Sequence, residues 1–226
     1  MPELKAGEAL IRVHAIGVNP VETYIRSGTY ASSPELPYCP GFDCTGEVIA
    51  VGGPGLPSLT DSAAGSTSVP VISIGDRVVT TASRTGVYSE FTVAPLDRLI
   101  VVPRANASKV TTASAASAAD GALSGTSAGW VLSPLQAASI GVPYATAYRA
   151  LFQRARLGDR DSATVLVHGG SGAVGVAAVQ LAKAAGHHVF ATASSDRGLS
   201  MLREQGAEAI RHLRGDGGAT VLAAVT

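Results

Sequence analysis

The chain has 226 residues, of which 46% are hydrophobic and 15% are charged, so it can bury one large or two small apolar cores. Seventeen basic residues balance seventeen acidic ones, which gives no electrostatic reason to expect nucleic acid or an anionic membrane as the main partner. The sequence does not begin with the charged and apolar pattern of a secretion signal, and it contains no run of about eighteen apolar residues. We therefore predict a globular cytoplasmic protein with a small-molecule partner.

Short strands separated by Gly and Pro turns are predicted in the first half of the chain. Four segments have the partial apolar alternation of half-buried strands: 8–18, 45–52, 76–82 and 88–94. This pattern favours a compact β-rich unit, which we assign to residues 1–134.

Two segments within that half are dominated by small and polar residues. Residues 53–73 are dense in Gly, Pro, Ser and Thr, and residues 105–129 contain no aromatic side chain. Neither segment can bury enough side-chain surface to offset the entropy lost on ordering. We therefore predict two surface insertions.

Cysteine and histidine are too sparse for a disulfide framework or an evident metal site. Cys39 and Cys44 are the two cysteines, and the five histidines do not stand at metal-ligand spacings. Two reduced, partly buried thiols are favoured over a redox or metal role.

The pattern changes to α/β from Leu135 onward. Residues 135–156 are rich in Ala and Leu at near-helical spacing, and a strand, a glycine-rich turn, a helix and a second strand follow. We assign residues 135–226 to a second domain.

The glycine-rich turn has the form of a dinucleotide-binding loop. Gly170, Gly172 and Gly175 match G-x-G-x-x-G between the strand predicted at 164–169 and the helix predicted at 174–186. In that order the glycines allow a tight turn, backbone approach to a pyrophosphate, and close helix–strand packing. Free N–H groups at the helix start stabilise the phosphates. The residues predicted to bind the cofactor here are Gly170, Ser171, Gly172, Ala173, Val174 and Gly175.

The end of the second strand favours NADPH over NADH. An NAD site usually has an acidic residue there to accept hydrogen bonds from the ribose hydroxyls. Here Ser194 and Ser195 offer hydroxyl groups, and Arg197 is placed to bind a 2′-phosphate. Asp196 would take the acidic position if the strand ended later.

Six segments together resemble a known family: 17–30, 36–52, 75–78, 86–94, 137–151 and 165–175. They are similar, in order, to the zeta-crystallin type of quinone oxidoreductase, in the zinc-independent branch of the medium-chain dehydrogenase/reductase superfamily. The resemblance implies a GroES-like partial barrel followed by a Rossmann domain with a doubly wound parallel sheet. It also implies a cleft in which NADPH meets a quinone, and a homo-oligomer if the protein is full length.

The zinc ligands of the metal-dependent relatives are replaced. Asn19 stands where a Cys would be, and Phe42 stands where a His would be. Phe cannot bind a metal, and Asn is a poor zinc ligand. We therefore expect a protein with no zinc.

The resemblance also suggests three catalytic residues. Asn19 would hydrogen-bond near the nicotinamide or the acceptor oxygen, Tyr24 would orient and polarise that oxygen, and Tyr30 would help to wall the cleft. Structural alternatives stay open, because an Asn before Pro20 commonly forms a turn and a Tyr commonly packs its ring. His168 is favoured as a packed residue at a strand end over a catalytic base.

The Rossmann domain is expected to be incomplete. A full dinucleotide fold needs two βαβαβ halves. The residues after Gly175 suffice for one helix, one strand, a further helix and a third strand. The sequence therefore predicts a truncated family member.

Three functions follow from these residues and the resemblance. The leading one is NADPH-dependent reduction of quinones without zinc, and the second is reduction of activated carbon–carbon double bonds in enones. The third is a non-catalytic cofactor-binding or RNA-binding protein, against which the balanced charge and the absence of a basic run argue where RNA is concerned.

Overall fold

The computed structural model describes residues 3–31, 34–53, 72–104, 130–214 and 220–223. Contacts divide the chain into two units, Met1–Val142 and Pro143–Thr226. The domain boundary predicted after residue 134 lies before this division, because the helix that begins at Pro134 packs on the sheet of the first unit. Apart from Gly53, Ile72 and Ser73, the insertions predicted at 53–73 and 105–129 lie outside the described residues.

The first unit contains one five-stranded antiparallel sheet in the order β4-β1-β2-β3-β5. Its strands are β1 (Glu8–Ile16), β2 (Cys44–Val51), β3 (Arg77–Thr80), β4 (Phe91–Pro95) and β5 (Leu99–Val101). Each of the four segments predicted as strands therefore contains or overlaps a strand. The register between β1 and β2 shifts twice, and such bulges bend a strand and allow a sheet to curve.

The core of this sheet is formed by small and β-branched side chains. They are Ala9, Ile11, Val48, Val78, Ala94 and Leu96. Helix α1 (Pro20–Arg26) follows β1, with Asn19 at its N-cap and Pro20 in its first turn, where the missing N–H costs nothing. Helix α2 (Pro134–Ala138) adds Ala137 to a smaller cluster with Val79 and Val102.

The single helix suggested by residues 135–156 is interrupted. After α2, helix α3 (Gly141–Tyr148) begins at a glycine, and a six-residue π-helical segment, Arg149–Arg154, follows. Pro143 explains why α3 starts anew, since proline fits the first turn of a helix better than its interior.

The second unit contains a four-stranded sheet in the order β6-β7-β8-β9. The strands are β6 (Thr164–Val167), β7 (His188–Ala193), β8 (Glu208–Arg214) and β9 (Thr220–Ala223), and the helices between them are α4 (Ala173–Ala184) and α5 (Asp196–Glu204). The first three strands are parallel, as a Rossmann fold requires, whereas β9 pairs antiparallel to β8. β8 ends at Arg214 and β9 begins at Thr220, which is too short a separation in sequence for a parallel crossover of a dozen residues or more.

The core of the second unit lies where α4 and α5 cover the parallel strands. Ala177, Val179 and Ala182 of α4 are buried with residues of β7, while Leu199 and Leu202 bury the apolar face of α5. Alanine-rich packing brings helix and strand backbones close together, which fixes the turn between β6 and α4. Within the described part of the chain, no helix is both long and apolar enough to cross a bilayer.

Candidate functional site

The glycine-rich turn joins β6 to α4 as the sequence predicted, but the tight turn is provided by another glycine than the motif suggested. Gly169 has the left-handed backbone conformation, with φ of +70°. Gly170 is instead a packing position, because a Cβ there would lie 2.8 Å from the Cβ of Ala191. The tight turn is therefore made one residue earlier than the motif suggested, and Gly170 lets the loop rest against β7.

Gly172 and Gly175 have different surroundings. A Cβ at Gly175 would lie 2.7 Å from the Cα of Gly170, so this glycine permits close packing of the helix start on the turn. A Cβ at Gly172 would have no neighbour closer than 3.5 Å, and the φ of Gly172, −81°, suits any residue. The fold itself does not require glycine at 172, which leaves approach by a ligand as a reason for its presence.

The start of α4 presents unpaired backbone donors. Gly172 is the N-cap and supplies no side chain, and within the described residues the N–H groups of Ala173, Val174 and Gly175 have no hydrogen-bond partner. Residues 171–174 are exposed. Unpaired N–H groups at the positive end of a helix dipole form a site suited to a phosphate. The geometry thus fits the pyrophosphate of a dinucleotide.

The predicted 2′-phosphate residues cluster at the end of β7. Ser194, Ser195 and Arg197 are all exposed. Ser195 is the N-cap of α5, and its hydroxyl oxygen accepts a 3.1 Å hydrogen bond from the N–H of Gly198. The hydroxyl hydrogen of Ser195 stays available to a phosphate oxygen, and the guanidinium of Arg197 has no ion-pair partner among the described residues.

Asp196 is engaged by an arginine that the sequence analysis did not single out. Arg211 forms an ion pair with the Asp196 carboxylate and also donates a 3.2 Å hydrogen bond to the carbonyl of Ser194. Arg211 is opposite Ala193 in the parallel register of β7 and β8. The third strand was predicted near this point, and the shared sheet edge of parallel strand ends was the signal that could have identified Arg211.

In the first unit, Asn19 lies inside a buried polar network. Its side-chain amide donates a 2.7 Å hydrogen bond to Oδ1 of Asp43 and a 3.4 Å hydrogen bond to Oε1 of Glu22. Asp43 is fully buried, and its Oδ2 accepts from the N–H of Val142 at 2.6 Å. Burial raises the pKa of Asp43, and the bonds from Val142 and Asn19 only partly oppose that rise. The amide of Asn19 therefore donates its hydrogen bonds to the carboxylates of Asp43 and Glu22.

Glu22 connects this network to Tyr88. The Tyr88 hydroxyl donates a 2.5 Å hydrogen bond to Oε2 of Glu22, and the N–H groups of Phe42 and Asn19 also point to the Glu22 carboxylate. Burial, followed by the hydrogen bond to Glu22, raises the pKa of Tyr88 to about 12. Sequence reasoning missed Glu22 and Tyr88, which are 66 residues apart.

Tyr24 and Tyr30 are exposed side chains, 53% and 47% accessible. Their hydroxyl groups form no hydrogen bond within the described residues. Both phenols are thus free to meet a ligand, and their catalytic roles stay predictions.

A cavity of about 640 Å³ opens in the first unit. Its lining includes Glu22, Cys39, Phe42 and Arg84. The mixture of aromatic, aliphatic and polar groups suits a small planar organic molecule. Neither Tyr24 nor Tyr30 lines this cavity.

The remaining candidates have structural partners. His168 shares a 3.0 Å hydrogen bond with Thr192 at the strand end. Both cysteines are free thiols, and burial raises the pKa of Cys44 to about 12, which disfavours the reactive thiolate. No cluster of three or more His, Cys, Asp or Glu residues suited to a metal occurs in the described ranges.

Comparison with known proteins identifies a family domain in the first part of the chain. Residues 5–104 match the alcohol dehydrogenase GroES-like domain. A quinone oxidoreductase of Pongo abelii is 38% identical over 210 residues, which are 93% of this chain and 51% of the relative. The chain therefore spans about half the length of the curated relatives it matches.

Solved structures agree with this assignment. An alcohol dehydrogenase superfamily protein from Novosphingobium aromaticivorans has a TM-score of 0.67 and 29% identity, with 93% of this chain and 52% of that one covered. The quinone oxidoreductase from Thermus thermophilus, which was also solved in complex with NADPH, has a TM-score of 0.63 and 28% identity over 93% of this chain and 52% of its own. Over 93% of its length the chain is therefore similar to quinone oxidoreductases of the zeta-crystallin type and to an alcohol dehydrogenase superfamily protein.

Proposed function

We propose that the chain is the cofactor-binding and acceptor-binding part of an NADPH-dependent quinone reductase. Two neighbouring features of the second unit carry the proposal. The start of α4 has unpaired, exposed N–H groups, and the end of β7 has two serines and Arg197, which has no ion-pair partner among the described residues. The first feature suits the pyrophosphate of any dinucleotide. The second favours the extra phosphate of NADPH, which Arg197 can bind through charge-assisted hydrogen bonds.

The chemistry asks little of the protein beyond positioning and exclusion of water. When bound, NADPH supplies a hydride, and a quinone that accepts it also takes up a proton to become a hydroquinone. A quinone is already electron-poor, so contact between two planar molecules and a dry environment are the main requirements. The cavity beside Glu22 and Phe42 supplies a pocket of suitable size in the first unit.

Different roles follow for the predicted catalytic residues. Tyr24 and Tyr30 are exposed but do not line the cavity proposed for the acceptor, so the roles suggested for them rest on the family resemblance alone. Asn19 donates its amide hydrogens to Asp43 and Glu22, so in this proposal it positions the wall of the cavity through Glu22. The direct contact with nicotinamide or acceptor suggested by the resemblance would require these bonds to be exchanged.

The proposal includes independence from zinc. Asn19 is committed to two carboxylates, and Phe42 presents an apolar ring where a ligand would be needed. A reactive carbonyl compound that needs a Lewis acid is therefore a poorer candidate substrate than a quinone.

Reduction of enones is the second candidate, since an activated double bond accepts a hydride with the same positioning. Steady-state oxidation of NADPH with a simple quinone and with an α,β-unsaturated ketone separates the two. We expect faster turnover of the quinone, and the reverse order would favour the enone. Turnover of neither by a chain that binds NADPH would leave a non-catalytic binding protein. Cytoplasmic location, homo-oligomerisation and the absence of specific RNA binding stay predictions.

A further inference from the structure

The end of β7 carries a carboxylate that should oppose NADPH binding. Asp196 begins α5 directly after Ser195, and its side chain is 90% exposed. A carboxylate at this strand end can accept hydrogen bonds from the ribose hydroxyls of NADH and repels a 2′-phosphate. The serines and Arg197 alone therefore do not account for a preference for NADPH.

Arg211 holds that carboxylate. One of its guanidinium nitrogens pairs with Oδ1 of Asp196, and another donates to the Ser194 carbonyl at 3.2 Å. The two contacts tie the guanidinium to the strand end and to the first turn of α5 at once. The side chain of Arg211 is 29% exposed, so it is the more fixed member of the pair.

The charge balance changes with this one residue. Asp196 contributes −1, Arg197 +1 and Arg211 +1, which gives a net charge of +1 at the strand end. Without Arg211 the sum is 0, and the Asp196 carboxylate is free to accept from a ribose.

We propose that Arg211 is a specificity-determining, positioning residue for the cofactor phosphate, and that it acts by engaging the Asp196 carboxylate. The proposal rests on the proposed function, because it concerns which nicotinamide cofactor that same site accepts. The relevant chemical distinction is a 2′-phosphate against a free 2′-hydroxyl on an adenosine.

The experiment compares two fragments that differ in this phosphate, adenosine 2′,5′-bisphosphate and 5′-AMP, by calorimetric titration of the 226-residue chain. Arg211→Gln should lower the preference for the bisphosphate by up to about fivefold, the upper end of the range for an exposed ion pair. Arg211→Lys keeps the charge without the planar fork and should give a smaller loss. Arg203→Gln, an exposed arginine at the other end of α5, is the matched control and should leave the preference unchanged.

The double variant Arg211→Gln with Asp196→Asn separates the proposed action through Asp196 from a direct contact with the phosphate. In Arg211→Gln the freed Asp196 carboxylate should strengthen the binding of 5′-AMP by accepting from its ribose hydroxyls. In the double variant, which lacks that carboxylate, this gain should disappear. An unchanged preference in Arg211→Gln would overturn the inference alone, and so would a lowered preference that persists in full in the double variant, as a direct contact between Arg211 and the phosphate would give. Failure of the folded wild-type chain to bind either fragment would overturn the proposed function, and the inference would fall with it.

Discussion

The side-chain amide of Asn19 donates a 2.7 Å hydrogen bond to the carboxylate of Asp43, and both residues are buried. Asp43 lies directly before β2, whereas Asn19 caps α1. A Cβ at Gly17 would lie 2.7 Å from the Cγ of Asp43, so the chain passes very close to this carboxylate. The pair therefore joins α1 to the sheet, and the catalytic role suggested for Asn19 stays a prediction.

Replacement of Asn19 by Ala should destabilise the protein. The change removes one of the donors that satisfy the buried Asp43 carboxylate, and an unsatisfied buried acceptor costs about 1–3 kcal/mol. Urea unfolding measures the loss. Thr23→Ala on the exposed side of the same helix is the control and should cost less. Equal stability of Asn19→Ala and wild type would show that the hydrogen bond from Asn19 to Asp43 does not stabilise the fold.

The contribution of Asp43 to the free energy of unfolding should fall as the pH rises. Burial raises its pKa in the folded state above the ordinary value of 3.8, so the folded state binds more proton than the unfolded state between the two values. Stability from this group is fully present below about pH 3.8 and is lost as the pH rises through the folded-state pKa. The difference in unfolding free energy, wild type minus Asp43→Asn, should therefore decrease with pH. A difference that grows instead would contradict the assigned direction.

Alanine at Gly170 should lower stability, whereas alanine at Gly172 should weaken cofactor binding. At Gly170 the new methyl group would press on Ala191 and Leu202, and overpacking of this kind costs about 1–3 kcal/mol. At Gly172 the methyl group meets nothing closer than 3.5 Å and should leave stability nearly unchanged, while it hinders the approach of a pyrophosphate. Thermal unfolding together with NADPH titration tests both. Wild-type affinity in Gly172→Ala would place the cofactor elsewhere.

The strand end should discriminate between the two nicotinamide cofactors. Arg197→Ala should weaken NADPH binding by about 1–3 kcal/mol, the scale of a charge-assisted hydrogen bond, and leave NADH binding almost unchanged. Ser194→Asp should go further, since it repels the phosphate and offers the ribose an acceptor. Arg203→Ala on the same helix is the control for a lost surface charge. Equal losses for both cofactors would indicate general disruption of the strand end.

The purified protein should contain no bound zinc. By the family resemblance, Asn19 and Phe42 stand where the metal-dependent relatives have ligands; Phe cannot bind zinc, and Asn is a poor zinc ligand. Metal analysis after a chelator wash measures the content directly. Stoichiometric zinc that survives the wash would refute the proposed mechanism.

Local patterns in the sequence predicted the elements that local chemistry determines. The glycine loop, α4, β7 and the first four strands, β1 to β4, follow from apolar periodicity and from glycine spacing within about ten residues, whereas β5 was not predicted. The residues that were missed depend on contacts between distant segments. Glu22 meets Tyr88 across the first unit, and Arg211 reaches Asp196 only because β7 and β8 run parallel in one register.

The same distinction explains the changed interpretation of Asn19. A family motif identifies a position, but the partner of that side chain is set by the tertiary fold. Asp43 is 24 residues away, and nothing in the local sequence indicates that its carboxylate turns inward toward Asn19. The pairing of β9 was equally hidden, since an antiparallel return after β8 depends on the length of its connection and not on the apolar pattern.

The central claim is that this chain carries an NADPH site, and direct titration with NADPH and NADH tests it. The nicotinamide fluorescence of each cofactor is followed as the 226-residue chain is added, after circular dichroism and cooperative unfolding have shown that the chain is folded. We predict saturable binding of NADPH that is tighter than binding of NADH. Binding of neither cofactor by the folded chain, or tighter binding of NADH, would contradict the account.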